Sequence, residues 1–260
     1  MKTRYNTAPI SSKNRISIGI KPFWSFVLLI YFNVSNLTII ISAREIKLKV
    51  WGKIILMTFF DLEHLKEDYD WSLKQFGPGP KALLWWDYRS MAIRFRELVR
   101  DIPIQGKYIL DAGCGMGDLL PFLYAKSPDF RYLGVDKNQE FIDIAKQRYE
   151  GHEFQVGDPL NKKIGGFDVV ISSGVMNGNV EGWQTKRKKM IANLFDQASQ
   201  VLSFNMAGGL TPIPHDSLIA YADAQEIFNY CKTLTERVIL RTDYLAKDFT
   251  IVMFKKNYPA

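Results

Sequence analysis

Apolar positions in the C-terminal two thirds of the chain fall into short runs, most of which end on glycine or an acidic residue. Tyr108-Ile-Leu-Asp111 is the first, followed by Arg131-Tyr-Leu-Gly-Val-Asp136, Glu153-Phe-Gln-Val-Gly-Asp158, Gly166-Phe-Asp-Val-Val-Ile-Ser-Ser-Gly174 and Val201-Leu-Ser-Phe-Asn-Met206. Each reads as a β-strand. Between the second and third, Glu140–Tyr149 has apolar residues at 141, 144 and 145 and reads as a helix. Arg237 to Phe254 reads as a hairpin that completes the sheet. Upstream, residues 57–100 look helical and amphipathic. They are interrupted at Gly77-Pro-Gly-Pro80, and Ala82–Phe95 is the strongest helical stretch before the sheet.

The first strand leads into Asp111-Ala-Gly-Cys-Gly-Met-Gly-Asp118. Glycines at 113, 115 and 117 permit a sharp turn and let the backbone touch a ligand. Asp118-Leu-Leu-Pro-Phe-Leu-Tyr is expected to open a helix, which would set the loop at a positively polarised N-terminus. A dinucleotide fingerprint is G-x-G-x-x-G, but here the third glycine comes one residue early and position 118 is a carboxylate. A pyrophosphate would meet that negative charge, so the loop favours a ligand without phosphates. S-adenosylmethionine, cationic at its sulfur and its ammonium, is such a ligand.

The loop resembles the first motif of class I S-adenosylmethionine-dependent methyltransferases. The resemblance implies a Rossmann-like α/β fold: a seven-stranded, mostly parallel sheet with an antiparallel last strand, flanked by helices. It also implies that S-adenosylmethionine is bound by Asp111, Ala112, Gly113, Cys114, Gly115 and Gly117. Asp136, with Lys137 beside it, closes the second strand, where a carboxylate can accept from both ribose hydroxyls. Asp158 is expected to accept from the adenine amino group, with Gly157 and Pro159 as neighbours. The loop from Ser173 to Gly178 is expected to face the methyl group. Residues 57–100 are expected to form a helical lid before a 101–260 catalytic domain, with Trp85 lining the pocket and Arg94 meeting the methionine carboxylate. Trp86 is expected in the core. Phe76-Gly, Ala82-Leu-Leu-Trp85, Arg94-Phe95 and the terminal Arg241-Thr-Asp-Tyr-Leu and Asp248-Phe-Thr further resemble a subfamily of mostly uncharacterised bacterial small-molecule methyltransferases. That subfamily leads one to expect a glycine near Leu84 and a polar residue near Met91, and the chain departs from both.

Charge alters this picture little. The 260 residues carry a formal charge of +7, but residues 1–56 hold nine Lys or Arg against Glu45 alone, which leaves −1 for the rest. A near-neutral catalytic region offers no broad footprint for nucleic acid. Lys186-Arg-Lys-Lys189 is its one concentrated basic run and reads as the solvated face of a helix. Two cysteines, Cys114 and Cys231, suggest no disulfide framework and fit a reducing, cytoplasmic setting. Residues 22–43 lack charge and are long enough to span a bilayer. The 1–56 extension therefore reads either as an upstream start before Met57 or as a membrane anchor for a cytoplasmic enzyme.

Methyl transfer from a sulfonium is an in-line displacement that needs alignment more than acid–base chemistry. No Cys/His cluster of metal spacing is present. The fourth strand ends in Ser172-Ser-Gly-Val-Met-Asn177, unlike the Asn/Asp-Pro-Pro-aromatic of nucleobase or glutamine amino-methyltransferases. A small-molecule acceptor, methylated on oxygen or nitrogen, is therefore expected. His215 is the candidate base, with Asn177, Asn205 and Tyr221 as candidates for hydrogen bonding to the acceptor, and His64 and His152 have weaker claims. The rival readings are a nicotinamide-dependent oxidoreductase and a non-catalytic S-adenosylmethionine-binding module.

Overall fold

A computed structural model describes residues 37–41, 45–50, 53–58, 62–161, 163–215 and 218–259. The chain divides between Phe59 and Phe60 into two units. In the first, β1 (Leu37–Ile41), β2 (Glu45–Val50) and β3 (Lys53–Thr58) form an antiparallel meander, with Leu37 opposite Val50 and Glu45 opposite Thr58. The alternation Glu45-Ile-Lys-Leu-Lys-Val50 is the strand signal here. It places Met57 and Thr58 at the end of a strand, not in a helical region. Most of the apolar run 22–43 lies outside the described residues, and its 37–41 portion is β1. No helix among the described residues is long and apolar enough to cross a membrane.

The second unit starts with α1 (Leu62–Phe76), a 3-10 turn (Pro80–Leu83) and α2 (Tyr88–Val99). β4 (Lys107–Ala112), α3 (Leu120–Tyr124), β5 (Phe130–Asp136), α4 (Gln139–Arg148), β6 (Glu153–Val156) and β7 (Phe167–Ser173) follow. The chain ends with α5 (Trp183–Gln197), β8 (Ala198–Gly209), β9 (Ala222–Asp223), α6 (Ala224–Leu234), β10 (Val238–Arg241) and β11 (Asp248–Phe254). The sheet order is β10-β11-β8-β7-β4-β5-β6, with the short β9 paired to the end of β8. Pairings from β6 through β8 are parallel, and β11 runs antiparallel to both β8 and β10. This is the expected mostly parallel sheet with an inverted last strand.

Both sheet faces are covered, so successive residues of each central strand enter different cores. Ile109, Val169, Val201 and Val252 pack with α2, α3 and α4. Leu110, Val170, Leu202 and Ile251 pack with α5 and α6. The helices begin where side chains cap them: Ser90 N–H donates to Asp87 Oδ1 at 2.7 Å, Phe141 N–H to Asn138 Oδ1 at 3.2 Å, and Gln225 and Glu226 N–H to Asp223 Oδ1.

Two helix boundaries depart from expectation. α2 begins at Tyr88 and not at Ala82, because Leu84 turns into the left-handed region at φ 58° and Asp87 caps a new start. This releases Trp86 from the core, and it is 74% exposed. The helix after the glycine loop begins at Leu120, two residues later than expected, and lasts five residues.

Candidate cofactor and acceptor site

The parallel strands end on one side of the sheet, and β4 has β5 on one flank and β7 on the other. Chains leaving β4 and its neighbours in opposite directions open a crevice there. A cavity of about 450 Å³ occupies that position. Its floor is the glycine loop, where Gly113 and Cys114 N–H donate to Val135 O at 2.7 and 3.1 Å. Gly113 has φ 81°, and a Cβ there would lie 2.3 Å from Val175 Cγ2. At Gly115, φ is 54° and a Cβ would lie 2.9 Å from Leu83 Cδ2. The 3-10 turn thus closes directly over the loop.

Carboxylates gather at this end of the cavity. Asp136, closing β5, accepts Gly115 N–H at 2.9 Å on one oxygen and Asn138 N–H at 2.9 Å on the other. Burial raises its pKa, and those backbone bonds oppose the rise. Asp111, closing β4, is 2% exposed and accepts Tyr132 O–H at 2.8 Å. Burial pushes it up to about 7, with the Tyr132 bond opposing and Asp136 and Asp118 adding. Asp118 Oδ1 meets Arg148 at 3.2 Å, while its buried Oδ2 has no hydrogen-bond partner among the described residues. Burial pushes the Cys114 thiol well above its ordinary value, so it is a packing group in the loop.

A model of the methyltransferase domain matches residues 109–200, from β4 into β8. The methyltransferase-named protein Rv1506c of Mycobacterium tuberculosis is 29% identical over 159 residues, 57% of this chain and 93% of its own. The carboxy-S-adenosyl-L-methionine synthase of Campylobacter hominis is 36% identical over 78 residues, covering 28% of this chain and a third (33%) of that protein. Among solved structures, magnesium protoporphyrin IX methyltransferase from Synechocystis with bound S-adenosylhomocysteine superposes with a TM-score of 0.56. It is 17% identical and covers 75% of this chain and 100% of that one, a likeness of fold. Together these matches support a class I S-adenosylmethionine-dependent methyltransferase domain in this chain.

The residues of the cavity fit S-adenosylmethionine. A cationic sulfonium and ammonium suit an end bounded by Asp111, Asp118 and Asp136, where the unpartnered Asp118 oxygen calls for a positive or hydrogen-bonding group. The glycine cradle leaves the backbone bare where side chains would fill the space.

Of the residues expected to bind cofactor, Asp111, Gly113, Cys114, Gly115, Asp136, Lys137, Pro159, Ser173 and Trp85 line the cavity. Ala112 and Gly117 do not; Gly117 packs against Tyr149 and Phe154, where a Cβ would come within 2.9 Å. Gly157 and Asp158 also lie off the cavity wall. Asp158 bonds Lys137 Nζ at 2.9 Å and Asn161 Nδ2 at 3.0 Å. Burial would raise its pKa, but Asn161 and Lys137 outweigh this and hold it below the usual carboxylate range.

Arg94 is turned away from the cavity. Its Nε and Nη2 form a fork on Asp248, at 2.8 and 2.5 Å, and its guanidinium lies 5.0 Å from the Trp85 ring centroid. It braces the wall behind Trp85. Met91, where the subfamily suggested a polar residue, is buried in the core at 5% exposure.

Beside the glycine loop, the end of β7 and the loop after it supply Ser173, Gly174, Val175, Asn177 and Gly178, and Leu218 and Ile219 complete that side. Asn177 Oδ1 accepts Ala207 N–H at 2.9 Å, which fixes the amide's orientation and turns Nδ2 toward a ligand. Asn205 is buried and accepts from Ser173 Oγ and Gly174 N–H, so it shapes the loop from behind. His215 is exposed, packs edge-on against Trp183 at 5.2 Å and does not line the cavity. Tyr221 lies under Lys247, also off the wall. His152 bonds Tyr124 O–H at 2.7 Å, and the His64 side chain lies outside the described residues.

Sequence reasoning missed Tyr69, Leu83, Phe95, Asn138, Phe141, Leu160, Met190 and the Leu218-Ile219 pair, which also line the cavity. Apart from Asn138, their signal is ordinary apolar patterning, which does not separate a cavity wall from a core.

Proposed function

We propose that this methyltransferase methylates a small molecule on oxygen or nitrogen, and that the acceptor meets the cofactor beside the loop from Ser173 to Gly178. The observation that carries this reading is the chemical division of one cavity. Its carboxylates cluster at the glycine loop, Trp85, Asn177, Gly178, Leu218 and Ile219 form a neutral, largely apolar side, and Val175 packs between the two against Gly113. At about 450 Å³ the cavity is toward the small end of ligand sites, roughly 300–1,000 Å³. A bound cofactor would leave limited room, which argues for a compact acceptor over a polymer.

In this reading Asp136 holds the ribose, and Asp111 with Asp118 faces the cationic end. Lys137, Pro159 and Leu160 enclose the adenine, while Asp158 acts through Lys137. The helical segment before Arg100 serves as the lid, with Leu83, Leu84 and Trp85 as its inner face. Bound S-adenosylmethionine supplies a methyl group already activated on sulfur. What the chain adds is alignment and exclusion of water, and alignment alone is worth ~7–11 kcal/mol in favourable cases. Asn177 Nδ2 orients the acceptor by donating to an oxygen lone pair of it, leaving the lone pair that attacks the methyl group free.

Calorimetric titration of the full chain with S-adenosylhomocysteine and with NADH tests the cofactor half. Micromolar binding of the former and none of the latter is the expected result, and preference for NADH would overturn it. A panel of phenols, carboxylic acids, amines and thiols, scored by S-adenosylhomocysteine release, tests the acceptor half. Binding without turnover over the panel would favour a non-catalytic module.

A further inference from the structure

The basic run Lys186–Lys189 does not behave as one solvated face. Arg187 is 2% exposed, the largest fully buried side chain among the described residues. Its Nε donates to Met176 O at 2.6 Å, and its Nη2 donates to Ala220 O and, at 3.5 Å, to Asn177 O. The guanidinium lies 4.3 Å from the Trp183 ring centroid. No carboxylate pairs with it among the described residues, and Nη1 has no hydrogen-bond partner there. Burial pulls its pKa down to about 10, with Glu226 opposing.

A buried cation with no counter-ion among the described residues is costly. In return, this one provides a rigid planar fork that spans two backbone segments. The segments are the loop after β7 and the approach to β9, which together wall the acceptor end of the cavity. They are stitched further by Ala220 N–H to Asn177 O and Asn179 N–H to Leu218 O, both at 2.9 Å, and by a bridge between Gly178 and Ile219. Asn177 therefore has its backbone carbonyl held by Ala220, with Arg187 Nη2 at the edge of hydrogen-bond reach, and its side-chain oxygen held by Ala207.

We propose that Arg187 is a positioning residue for methyl transfer: it clamps segments 176–178 and 218–220 into one rim and thereby holds the Asn177 amide toward the acceptor. The proposal rests on the reading that the acceptor enters at this loop. It separates the two ends of the cavity, because Arg187 touches neither the glycine loop nor Asp136.

Hydrogen exchange on full-length Arg187→Ala and Arg187→Lys, with S-adenosylhomocysteine titrations in parallel, tests it. In Arg187→Ala, exchange is expected to rise about tenfold or more in peptides covering 174–180 and 217–222, with β4 and β5 peptides unchanged. S-adenosylhomocysteine affinity is expected to stay within about threefold. Methylguanidine below denaturing concentration should restore protection to Arg187→Ala and leave the wild type unaffected. Should the alanine variant fail to fold, Arg187→Lys, whose single ammonium cannot span both segments, is expected to show the same local rise in smaller measure. For any acceptor that the panel turns over, kcat or acceptor KM should worsen about tenfold while KM for S-adenosylmethionine holds. A uniform rise in exchange, unchanged exchange in the two segments or absence of rescue would overturn the proposal. Failure of the wild type to bind S-adenosylhomocysteine would instead sink the cofactor reading.

Discussion

The backbone N–H of Gly115 donates to Asp136 Oδ2 at 2.9 Å, so the glycine loop and the end of β5 are held by one shared carboxylate. The other oxygen of that carboxylate holds Asn138 N–H, and Asn138 Nδ2 in turn reaches Asp70 on α1 at 2.8 Å. Asp136 therefore organises the loop, the start of α4 and the helix before the sheet. Asp136→Ala is expected to weaken S-adenosylhomocysteine binding by tenfold or more, roughly 1.4 kcal/mol. Asp136→Asn, which retains one acceptor oxygen for one of the two backbone donors, should lose less. Calorimetry on both variants checks the order, and equal losses would show that the backbone bonds do not matter.

Gly113→Ala tests the close approach of the loop to Val175. The new Cβ would lie 2.3 Å from Val175 Cγ2, at a backbone φ of 81°. Left-handed strain costs roughly 1–2 kcal/mol and overpacking roughly 1–3 kcal/mol. Urea unfolding should therefore show a loss of about 2–5 kcal/mol. Adding Val175→Ala should recover the overpacking portion and not the strain, and a Gly113→Ala variant of unchanged stability would refute the geometry.

Arg94 and Asp248 link α2 to β11 by a fork whose side chains are 22% and 6% exposed. Burial raises the Asp248 pKa while Arg94 opposes the rise. Removing one partner of a fully buried pair costs roughly 3–5 kcal/mol, and this partly exposed pair should cost less, about 2 kcal/mol for Arg94→Met by chemical denaturation. S-adenosylhomocysteine affinity should change less than about threefold, since the guanidinium is committed to Asp248. A large loss of affinity at unchanged stability would instead assign Arg94 to the methionine carboxylate.

Much of the fold was legible because its signals are local. Strand ends marked by Asp111, Asp136 and the 237–254 hairpin follow from apolar runs and their boundaries, and the expected inverted strand is β11. What escaped was set by tertiary context. Ala82–Trp86 has a helical composition, yet Leu84 adopts φ 58° and the helix restarts at Asp87. Lys186–Lys189 looks uniformly solvated, but Arg187 falls on the buried side of α5, beneath loops that are remote in sequence. Asp158 sits at a strand end of the expected type, and only the position of Lys137 and Asn161 shows where its oxygens go.

Leu84 is the one non-glycine residue with positive φ among the described residues, at a site where the resembled subfamily suggested a glycine. Left-handed strain at Leu84 is worth roughly 1–2 kcal/mol. A half-buried Leu→Gly exchange normally destabilises through lost burial and a freer unfolded chain, by roughly 2 kcal/mol or more. Relief of strain should offset most of that, so Leu84→Gly is expected to lie within about 1 kcal/mol of wild type by thermal unfolding. Leu84→Ala, which loses burial and keeps the strain, should be the less stable of the two. The reverse order would show that Leu84 carries no strain.

Asp111 is expected to make cofactor affinity depend on pH. Its folded-state pKa, about 7, lies above the ordinary 3.8 because the carboxyl is buried, with Tyr132 opposing and the neighbouring Asp136 and Asp118 adding. The neutral form is thus the one that folding favours. Its contribution to stability is complete below about pH 4 and is lost as pH rises through about 7. A cationic ligand acts in the opposite sense by favouring the carboxylate, so binding S-adenosylmethionine should release a proton near neutrality. For one such proton, affinity rises about tenfold between pH 6 and pH 8. S-adenosylhomocysteine, without the sulfonium, should show a shallower rise. Asp111→Asn abolishes the coupled proton and should flatten the Asp111 component in both. Titrations in two buffers of different ionisation enthalpy measure the released proton directly, and an affinity independent of pH with no proton release would show that Asp111 does not sense the bound charge.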